Sequence, residues 1–135
     1  MTDYNATIIA EFRDNDGKVG GPYAGATLLL LHSTGARTGN EYVNPLVYLA
    51  DDGRYLVFAS KGGADTNPAW YHNLRTNPDT TIEVGTETIA VRAVELHGDE
   101  RDHFYARQAE IHPGFGDYQR GTSRVIPVVA LEPVR

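Results

Sequence analysis

Two glycine-rich segments of this chain each carry a cation, as a site for a phosphate-bearing ligand would require. In the first, TGARTG at residues 34–39, two glycines flank Arg37 and Thr38. Backbone N–H groups of a tight turn, a hydroxyl and a guanidinium together suit a phosphate group. An ordinary polar loop with an exposed arginine has the same composition, so both interpretations stay open. The segment is neither a Walker loop nor a Rossmann fingerprint, because it lies between two expected strands.

The second segment is ASKGGADTNPAWYHNL, residues 59–74. Lys61 follows an expected strand, and the two glycines after it let the backbone approach a ligand closely. The helix expected after Asn67 directs free N–H groups toward that strand end, and Trp70 adds a flat apolar surface. Alternatively, the segment is a loop leading into a helix, with Trp70 as a core aromatic residue.

A third cluster, HPGFGDYQRGT at residues 112–122, combines aromatic and charged residues with glycines. We interpret it as a loop that either covers a pocket or merely connects a helix to a strand. Phe115 and Tyr118 are the side chains that such a lid would offer to a substrate.

Catalysis by side chains alone is not favoured. The chain has no cysteine and no G-x-S-x-G segment, and its histidines lack metal-site spacing. A triad can still assemble from distant residues, so this lowers the expectation without excluding it. The five histidines are His32, His72, His97, His103 and His112.

Composition predicts one globular domain. The chain has 135 residues, 41% of them hydrophobic and 22% charged, enough for a single core. The formal charge of -6 argues against nucleic-acid binding but not against a small anion held by a few convergent cations. Without cysteine, a signal-like start or a long apolar run, we expect a cytoplasmic protein. Loose, peripheral membrane contact through the N-terminal stretch stays open.

The hydrophobic pattern predicts an α+β fold with about six antiparallel strands closing into a barrel. We expect one domain over residues 1–135, with residues 1–18 as an N-terminal helix or arm, and irregular structure over 16–25. Pro45 indicates an edge or a bulge, and Asp-Gly at 52–53 a hairpin turn. The strands are expected at 26–33, 41–50, 54–60, 80–85, 87–96 and 125–133.

Three helices are expected, at 6–14, 68–77 and 100–112. Asn67 and Asp99 would cap the second and the third, and Pro68 would be the first helical residue of the second. Residues 113–122 would form a loop. In the third helix one apolar stripe would comprise Phe104, Gln108 and Ile111.

Four segments, in this order, resemble signatures of the deazaflavin (coenzyme F420)-dependent nitroreductase and quinone reductase family. They are GKVGGPYAGATLLLLHSTGARTG, VNPLVY, ASKGGADTNPAWYHNL and DYQRGTSRVIPVVALEP. The resemblance covers about residues 8–134. It implies a split β-barrel of the flavin-mononucleotide-binding-like kind, binding of reduced F420, and hydride transfer from C5 of the deazaflavin to a quinone-like, enone or nitroaromatic acceptor.

By position in these motifs, the resemblance also assigns cofactor contacts. Along the phosphate-bearing tail and beside it these are Ala36, Arg37, Thr38, Tyr42, Val43, Asn44, Pro45, Leu46 and Val47; around the ring they are Phe58, Ala59, Ser60, Lys61, Ala69, Trp70, Tyr71, His72 and Asn73. It assigns proton delivery to Tyr118, with Ser60 as a hydrogen-bonding partner, and acceptor binding to His112, Phe115 and Tyr118.

Two departures from the family's pattern matter. Many relatives carry two basic residues in the first loop, where this chain has Ala36 and Arg37, so weaker tail binding is expected. His112 and Phe115 stand where nitroreducing members carry tyrosines, which argues against activity on bicyclic nitro drugs. A flavin-mononucleotide oxidoreductase on the same barrel, and a non-catalytic F420 carrier, stay as alternatives. The oligomeric state, monomer or homodimer, stays open.

Overall fold

The fold was analysed in a computed structural model, which describes residues 4–18 and 27–134. These ranges contain six strands and four α-helices. The helices are α1 (Tyr4–Asp14), α2 (Ala69–Thr76), α3 (Gly98–Ile111) and α4 (Gly114–Arg120). The strands are β1 (Leu28–Thr34), β2 (Glu41–Asp51), β3 (Arg54–Phe58), β4 (Asp79–Val84), β5 (Glu87–Leu96) and β6 (Val128–Pro133). The stretch predicted to be irregular, 16–25, falls mostly outside the described residues.

The strands form a closed antiparallel barrel in the order β1-β2-β3-β6-β5-β4. Hairpins join β1 to β2, β2 to β3 and β4 to β5, and β1 closes the barrel through Leu30↔Glu83 and Leu31↔Ile82 of β4. At the β2–β3 turn Asp52 and Gly53 both have positive φ, 47° and 82°, as the Asp-Gly hairpin turn requires. The predicted barrel is confirmed.

The apolar run at the start of β1 is buried on both faces of the strand. Leu29 and Leu31 point into the barrel, where they join Val57, Ile82 and Leu131. The alternating residues of the run lie instead under α1, as expected from the two-residue period of a strand. A run that reads as uniformly apolar therefore serves two cores.

Pro45 pairs with Leu30 of β1. The pairing of β2 with β3 covers only Tyr48–Asp51, so at Pro45 the strand has its described partner on one side. The N–H that proline lacks is therefore not needed by a second neighbouring strand, as at the predicted edge position.

Four local predictions were wrong. Residues 114–120 form α4, although three of the first eight residues after His112 are proline or glycine. The helix after Asn67 begins at Ala69 with Pro68 in the N-cap position, so Asn67 is not the cap and Pro68 is not the first helical residue. Helix α3 begins at Gly98 with His97 in the N-cap position, so Asp99 is not a cap.

The predicted stripe of α3 was wrong at its last member. Phe104 and Gln108 are buried, but Ile111 is 57% exposed, and Tyr105 is buried in its place. Gln108 lies fully inside with its Nε2 lacking a hydrogen-bond partner among the described residues. No helix within the described ranges combines the length and apolar character needed to span a bilayer.

Helix α1 is fastened to the barrel by an ionic cluster around Glu83. Arg13 donates from Nε and Nη2 to the two carboxylate oxygens of Glu83, at 3.0 and 2.6 Å. His32 Nε2 lies 2.6 Å from Glu83 Oε2. The hydrogen bond from Arg13 is the main cause that lowers the pKa of Glu83, and the one from His32 adds to it, against a smaller opposing effect of burial.

This cluster predicts a pH-dependent part of the stability. A lowered pKa in the folded state means that the contribution is complete above the ordinary value of 4.5 and disappears as pH falls through the folded value. In urea unfolding, Glu83→Gln should therefore lower the free energy of unfolding near neutral pH but by progressively less below about pH 4.5. Glu87→Gln, at an exposed position on β5, is the control. A difference between Glu83→Gln and wild type that stays constant with pH would contradict this role.

Candidate functional site

A cleft of about 1090 Å³ opens between α1, the β1–β2 turn, the start of β2 and the N-terminus of α2. Its volume slightly exceeds the usual range for cofactor sites, roughly 300–1,000 Å³. The lining residues are Ala6, Ile9, Gly35, Ala36, Arg37, Thr38, Glu41, Tyr42, Val43, Asn44, Lys61, Pro68, Ala69, Trp70, His72 and Asn73.

The β1–β2 turn is closed by its own backbone. Gly35 donates to the carbonyl of Asn40 at 2.7 Å, and Gly39 donates to that of Gly35 at 3.0 Å. A Cβ at Gly35 would lie 2.6 Å from Thr38 Oγ1, so any larger residue there would force the Thr38 side chain to shift. Arg37 and Thr38 are exposed at its tip.

Asn73 of α2 anchors this turn from inside. Its Oδ1 accepts the N–H of Ala36 at 3.0 Å, and its Nδ2 donates to Ser33 Oγ at 3.3 Å. Because a backbone N–H can only donate, the amide orientation is fixed. Asn73 is only 7% exposed, so it links the end of β1, the turn and α2 at the floor of the cleft.

The cleft has two cations without acidic partners. In the described part of the chain, neither Arg37 nor Lys61 has a carboxylate within 4.0 Å, and Lys61 Nζ contacts only Thr66 Oγ1, at 3.3 Å. Glu41 lies at the cleft edge, 72% exposed and 3.6 Å from His32 Nδ1. The arginines with an acidic partner are Arg13, Arg54, Arg92, Arg101, Arg107 and Arg120. Unpaired cations facing one cleft suit an anionic ligand.

Backbone donors point the same way. The N-terminus of α2 reaches the cleft with Ala69 and Trp70, and no side chain caps it. Its first N–H groups have no partner within the helix, and the helix dipole places positive charge there. A phosphate or carboxylate at this end would satisfy both.

Trp70 lies at both of the places that the two sequence interpretations imply, the core and the cleft wall. It is 6% exposed and packs in the barrel core with Leu29 and Leu31, yet it also lines the cleft. Tyr42, 44% exposed, adds a second aromatic surface, with its hydroxyl 3.4 Å from Thr38 Oγ1. The cleft therefore combines exposed cations with aromatic surface.

The structure brings together most of the cofactor contacts expected from the sequence. Those lining the cleft are Ala36, Arg37, Thr38, Tyr42, Val43, Asn44, Lys61, Ala69, Trp70, His72 and Asn73. Those not lining it are Pro45, Leu46, Val47, Phe58, Ala59, Ser60 and Tyr71.

Tyr71 illustrates why the second group lies elsewhere. Its hydroxyl donates to Glu95 Oε1 at 2.7 Å on another side of α2, and burial, followed by this hydrogen bond, raises the pKa of Tyr71 to about 12. Ala59 is buried in the barrel core, and Phe58 packs with α3 and α4.

Sequence reasoning missed five lining residues: Ala6, Ile9, Gly35, Glu41 and Pro68. Gly35, Glu41 and Pro68 adjoin the predicted segments. Ala6 and Ile9 come from α1, more than twenty residues earlier in the chain. Ile9 is half-buried beside the cluster that α1 forms with β1, and the sequence marks it only as one of the apolar residues of a short helix.

The expected acceptor residues lie in an aromatic cluster that does not line the cleft. The ring of Phe115 lies 5.8 Å from that of Phe58 and 5.2 Å from that of Tyr118, with His112 at 6.1 Å. Tyr105 donates to the carbonyl of Phe115 at 2.6 Å, and burial raises its pKa to about 12. The acceptor-binding roles therefore stay predictions.

One contact joins this cluster to the cleft. A Cβ at Gly63 would lie 3.1 Å from Tyr118 Cα, so α4 rests on the 3₁₀ turn Lys61–Gly63, whose first residue lines the cleft. Within the described residues, no three His, Asp or Glu side chains are grouped as a metal site would require.

Comparison with known proteins gives consistent matches. The model of the family "F420H(2)-dependent quinone reductase" matches residues 6–133. The F420H(2)-dependent quinone reductase Rv1261c of Mycobacterium tuberculosis is 41% identical over 128 residues, 90% of this chain and 85% of that protein.

Two solved structures are similar along most of their length. One, described as a domain-swapped dimer, has 33% identity and a TM-score of 0.74, covering 94% of this chain and 93% of that one. The other, an F420-H2 dependent reductase (FDR-A), has 36% identity and a TM-score of 0.72, covering 78% and 94%.

Proposed function

The chain belongs to the family of F420H(2)-dependent quinone reductases, and from that premise we propose that it reduces a quinone with reduced coenzyme F420 bound in the cleft. The observation that carries the proposal is the pair of unpaired cations, Arg37 and Lys61, on two loops facing one cleft with aromatic walls. F420 combines an anionic phosphate-bearing tail with a flat ring, and the cleft offers both cations and aromatic surface.

The tail is held at the β1–β2 turn. Arg37 provides a guanidinium for the phosphate, and Thr38 adds a hydroxyl beside it. Asn73 holds the N–H of Ala36, so the turn is already in its binding conformation before the ligand arrives. This chain has Ala36 before Arg37, so one cation binds the tail at this turn, where many relatives have two.

The ring lies toward α2 and the Lys61 turn. Trp70 and Tyr42 offer apolar surface, and the α2 N-terminus offers donors to carbonyl oxygens of the ring or to carboxylates. When bound, reduced F420 supplies a hydride from C5 of its deazaflavin ring to an electrophilic acceptor. The protein's contribution is to orient the two reactants and to exclude water.

The acceptor also needs a proton, and we propose that Tyr118 donates it. Tyr118 lies on α4, whose backbone rests on the turn that carries Lys61, and Ser60 precedes the same turn. An acceptor bound beside the contact of α4 with this turn would lie between the ring and the Tyr118 side of the aromatic cluster. Enones and nitroaromatics would enter the same space, with His112 and Phe115 supplying no hydroxyl.

The first test is turnover. Purified protein mixed anaerobically with reduced F420 and menadione should regenerate oxidised F420 at a rate proportional to protein concentration, and reduced F420 should be consumed in equal amount with the quinone. Failure to quench F420 fluorescence would refute the proposal. Quenching without turnover across quinones, enones and nitroaromatics would instead identify an F420 carrier, and turnover only with flavin mononucleotide would identify a flavin enzyme.

In the same assay, Tyr118→Phe tests proton delivery. A general acid typically contributes 10²–10⁴-fold, and water can replace part of that, so we expect kcat to fall by about tenfold or more. The dissociation constant of F420 should not change, since Tyr118 does not line the cleft. An unchanged kcat would remove Tyr118 from the proposed role.

A further inference from the structure

Arg124, to which the sequence motifs assign no role, binds the whole segment between β3 and α2. Its guanidinium donates to the carbonyls of Ala59 at 3.1 Å, Ser60 at 2.8 Å and Ala64 at 2.8 Å. It also donates to Asn67 Oδ1 at 2.8 Å. One side chain from the α4–β6 connection thus satisfies four acceptors on both sides of Lys61.

The segment needs such support because of its backbone conformation. Lys61 has φ 47°, the left-handed region that residues other than glycine rarely adopt. The side chain adds little restraint, since its one described hydrogen bond is to Thr66 at the exposed surface. A non-glycine residue keeps this conformation only when its surroundings determine it. In this chain the carbonyls held by Arg124 are those surroundings.

We infer that Arg124 is a positioning residue for Lys61: by fixing the carbonyls around the turn, it holds Lys61 at the wall of the cleft. The inference rests on the proposed function for its consequence, which is tighter binding of the anionic cofactor. Arg124 itself does not line the cleft, so it acts through Lys61 and not by touching the ligand.

The chemistry of the side chain fits this task. A guanidinium is planar, carries five donors in a fixed fork and stays protonated at neutral pH, whereas a lysine ammonium could not reach acceptors spread over both sides of a turn. Burial lowers the pKa of Arg124, yet in the described part of the chain no carboxylate lies within ion-pair distance of it. Its donors are committed to backbone and amide oxygens.

The neighbouring contacts support the same turn. Thr122 Oγ1 donates to Asp65 Oδ1 at 2.9 Å, and the left-handed Gly63 packs against Tyr118 of α4. Helix α4 and its connection to β6 therefore hold the Lys61 segment at three points, of which Arg124 makes the most hydrogen bonds.

A double-mutant cycle with F420 fluorescence titration tests the inference. Arg124→Gln alone should raise the dissociation constant of F420 by about tenfold, because it loosens a charge-assisted contact. In a Lys61→Ala background the same substitution should change it by less than about twofold. Equal effects in both backgrounds would overturn the inference, since Arg124 would then act on binding independently of Lys61.

Two controls separate this from general damage. Arg92→Gln removes an exposed arginine whose partner is Asp79 on the neighbouring strand, and it should leave F420 binding unchanged. If Arg124→Gln does not fold, Arg124→Lys replaces it in the same double-mutant cycle, because lysine keeps the charge but lacks the forked set of donors. Restoration of binding to Arg124→Ala by added methylguanidinium would support the inference.

A further readout needs no cofactor. Without F420, trypsin should cleave after Lys61 faster in Arg124→Gln than in wild type, and at the wild-type rate in Arg92→Gln. Absence of F420 binding by the wild-type protein would refute the proposed function only, and cleavage would then decide the positioning role. An unchanged cleavage rate at Lys61 would overturn it.

Discussion

The double variant Arg37→Ala/Lys61→Ala is expected to bind F420 roughly 10²- to 10⁴-fold more weakly than the wild-type protein. A hydrogen bond to a charged group contributes about 1.5–3 kcal/mol, and the two cations lie on separate loops, so their contributions should nearly add. Each single variant should lose about half of the total free energy. Fluorescence titration at fixed ionic strength measures all four affinities.

Salt should reveal the electrostatic origin. Both side chains are exposed, so their attraction for an anion is screened at high ionic strength. Wild-type affinity should fall as salt is raised, and the double variant should show a much flatter dependence. The lower part of the expected range applies near physiological salt.

The matched control is Arg92→Ala/Arg120→Ala, which makes the same change in net charge at two exposed positions. Both of its arginines are paired with aspartates, Asp79 and Asp117, and neither lines the cleft. Its F420 affinity should stay close to that of the wild type. If the two double variants lost affinity equally, net charge and not the cleft would explain the effect.

Sequence patterns predicted the hairpins of the barrel because the signals that specify a hairpin are local. An Asp-Gly turn specifies one hairpin, and the alternation in β4 and β5 specifies another. Barrel closure is not local: the pairing of Leu30 with Glu83 joins strands fifty residues apart, and no pattern in either strand encodes that register. The number of hairpins in a short chain was enough to favour closure but not to fix it.

The wrong helix boundaries have a tertiary cause. Asn67 has the composition of an N-cap, but its side-chain oxygen accepts a hydrogen bond from Arg124, so capping lost to a distant partner. Helix α4 forms from a glycine-rich sequence because Phe115 and Tyr118 pack into the aromatic cluster. Local propensity disfavoured both outcomes, and tertiary contacts decided them.

In the candidate site, helical geometry explains which predictions reach the cleft. On α2, residues three apart share a face, so Trp70 and Asn73 line the cleft together while Tyr71 contacts Glu95 on another side. The predicted contact segment 69–73 does not take account of how side chains rotate around the helix axis. Arg124 could not be found from sequence, because its importance lies in four acceptors that are about sixty residues away.

Replacing Asn73 by aspartate should nearly abolish F420 binding while leaving a folded protein. The introduced carboxylate keeps an acceptor for the Ala36 N–H, and the hydroxyl of Ser33 can rotate to donate to it. What changes is the charge: a buried anion at the floor of the cleft would oppose the anionic tail that Arg37 attracts. We expect the dissociation constant of F420 to rise at least roughly 100-fold, since charges in a low-dielectric site interact strongly.

Because burial raises the pKa of a carboxyl group, the loss in Asn73→Asp should be reversible with pH. Protonation removes the repulsion, so affinity of this variant should recover as pH falls, while that of the wild type should not rise. The free energy of unfolding of this variant should also rise as pH falls, since the buried charge costs about 1–3 kcal/mol at neutral pH.

The matched control is Asn77→Asp, the same chemical change four residues later on the same segment. Asn77 donates to the carbonyl of Thr34 at 3.3 Å and does not line the cleft. Its F420 affinity should stay within about twofold of wild type, because the new charge lies at the far end of α2 in more exposed surroundings. Asn73→Ala separates charge from contact: it removes both hydrogen bonds without adding an anion and should weaken binding less than Asn73→Asp. If the alanine variant bound F420 as poorly as the aspartate variant, the anchoring of the β1–β2 turn, and not the electrostatics of the cleft floor, would be what Asn73 contributes.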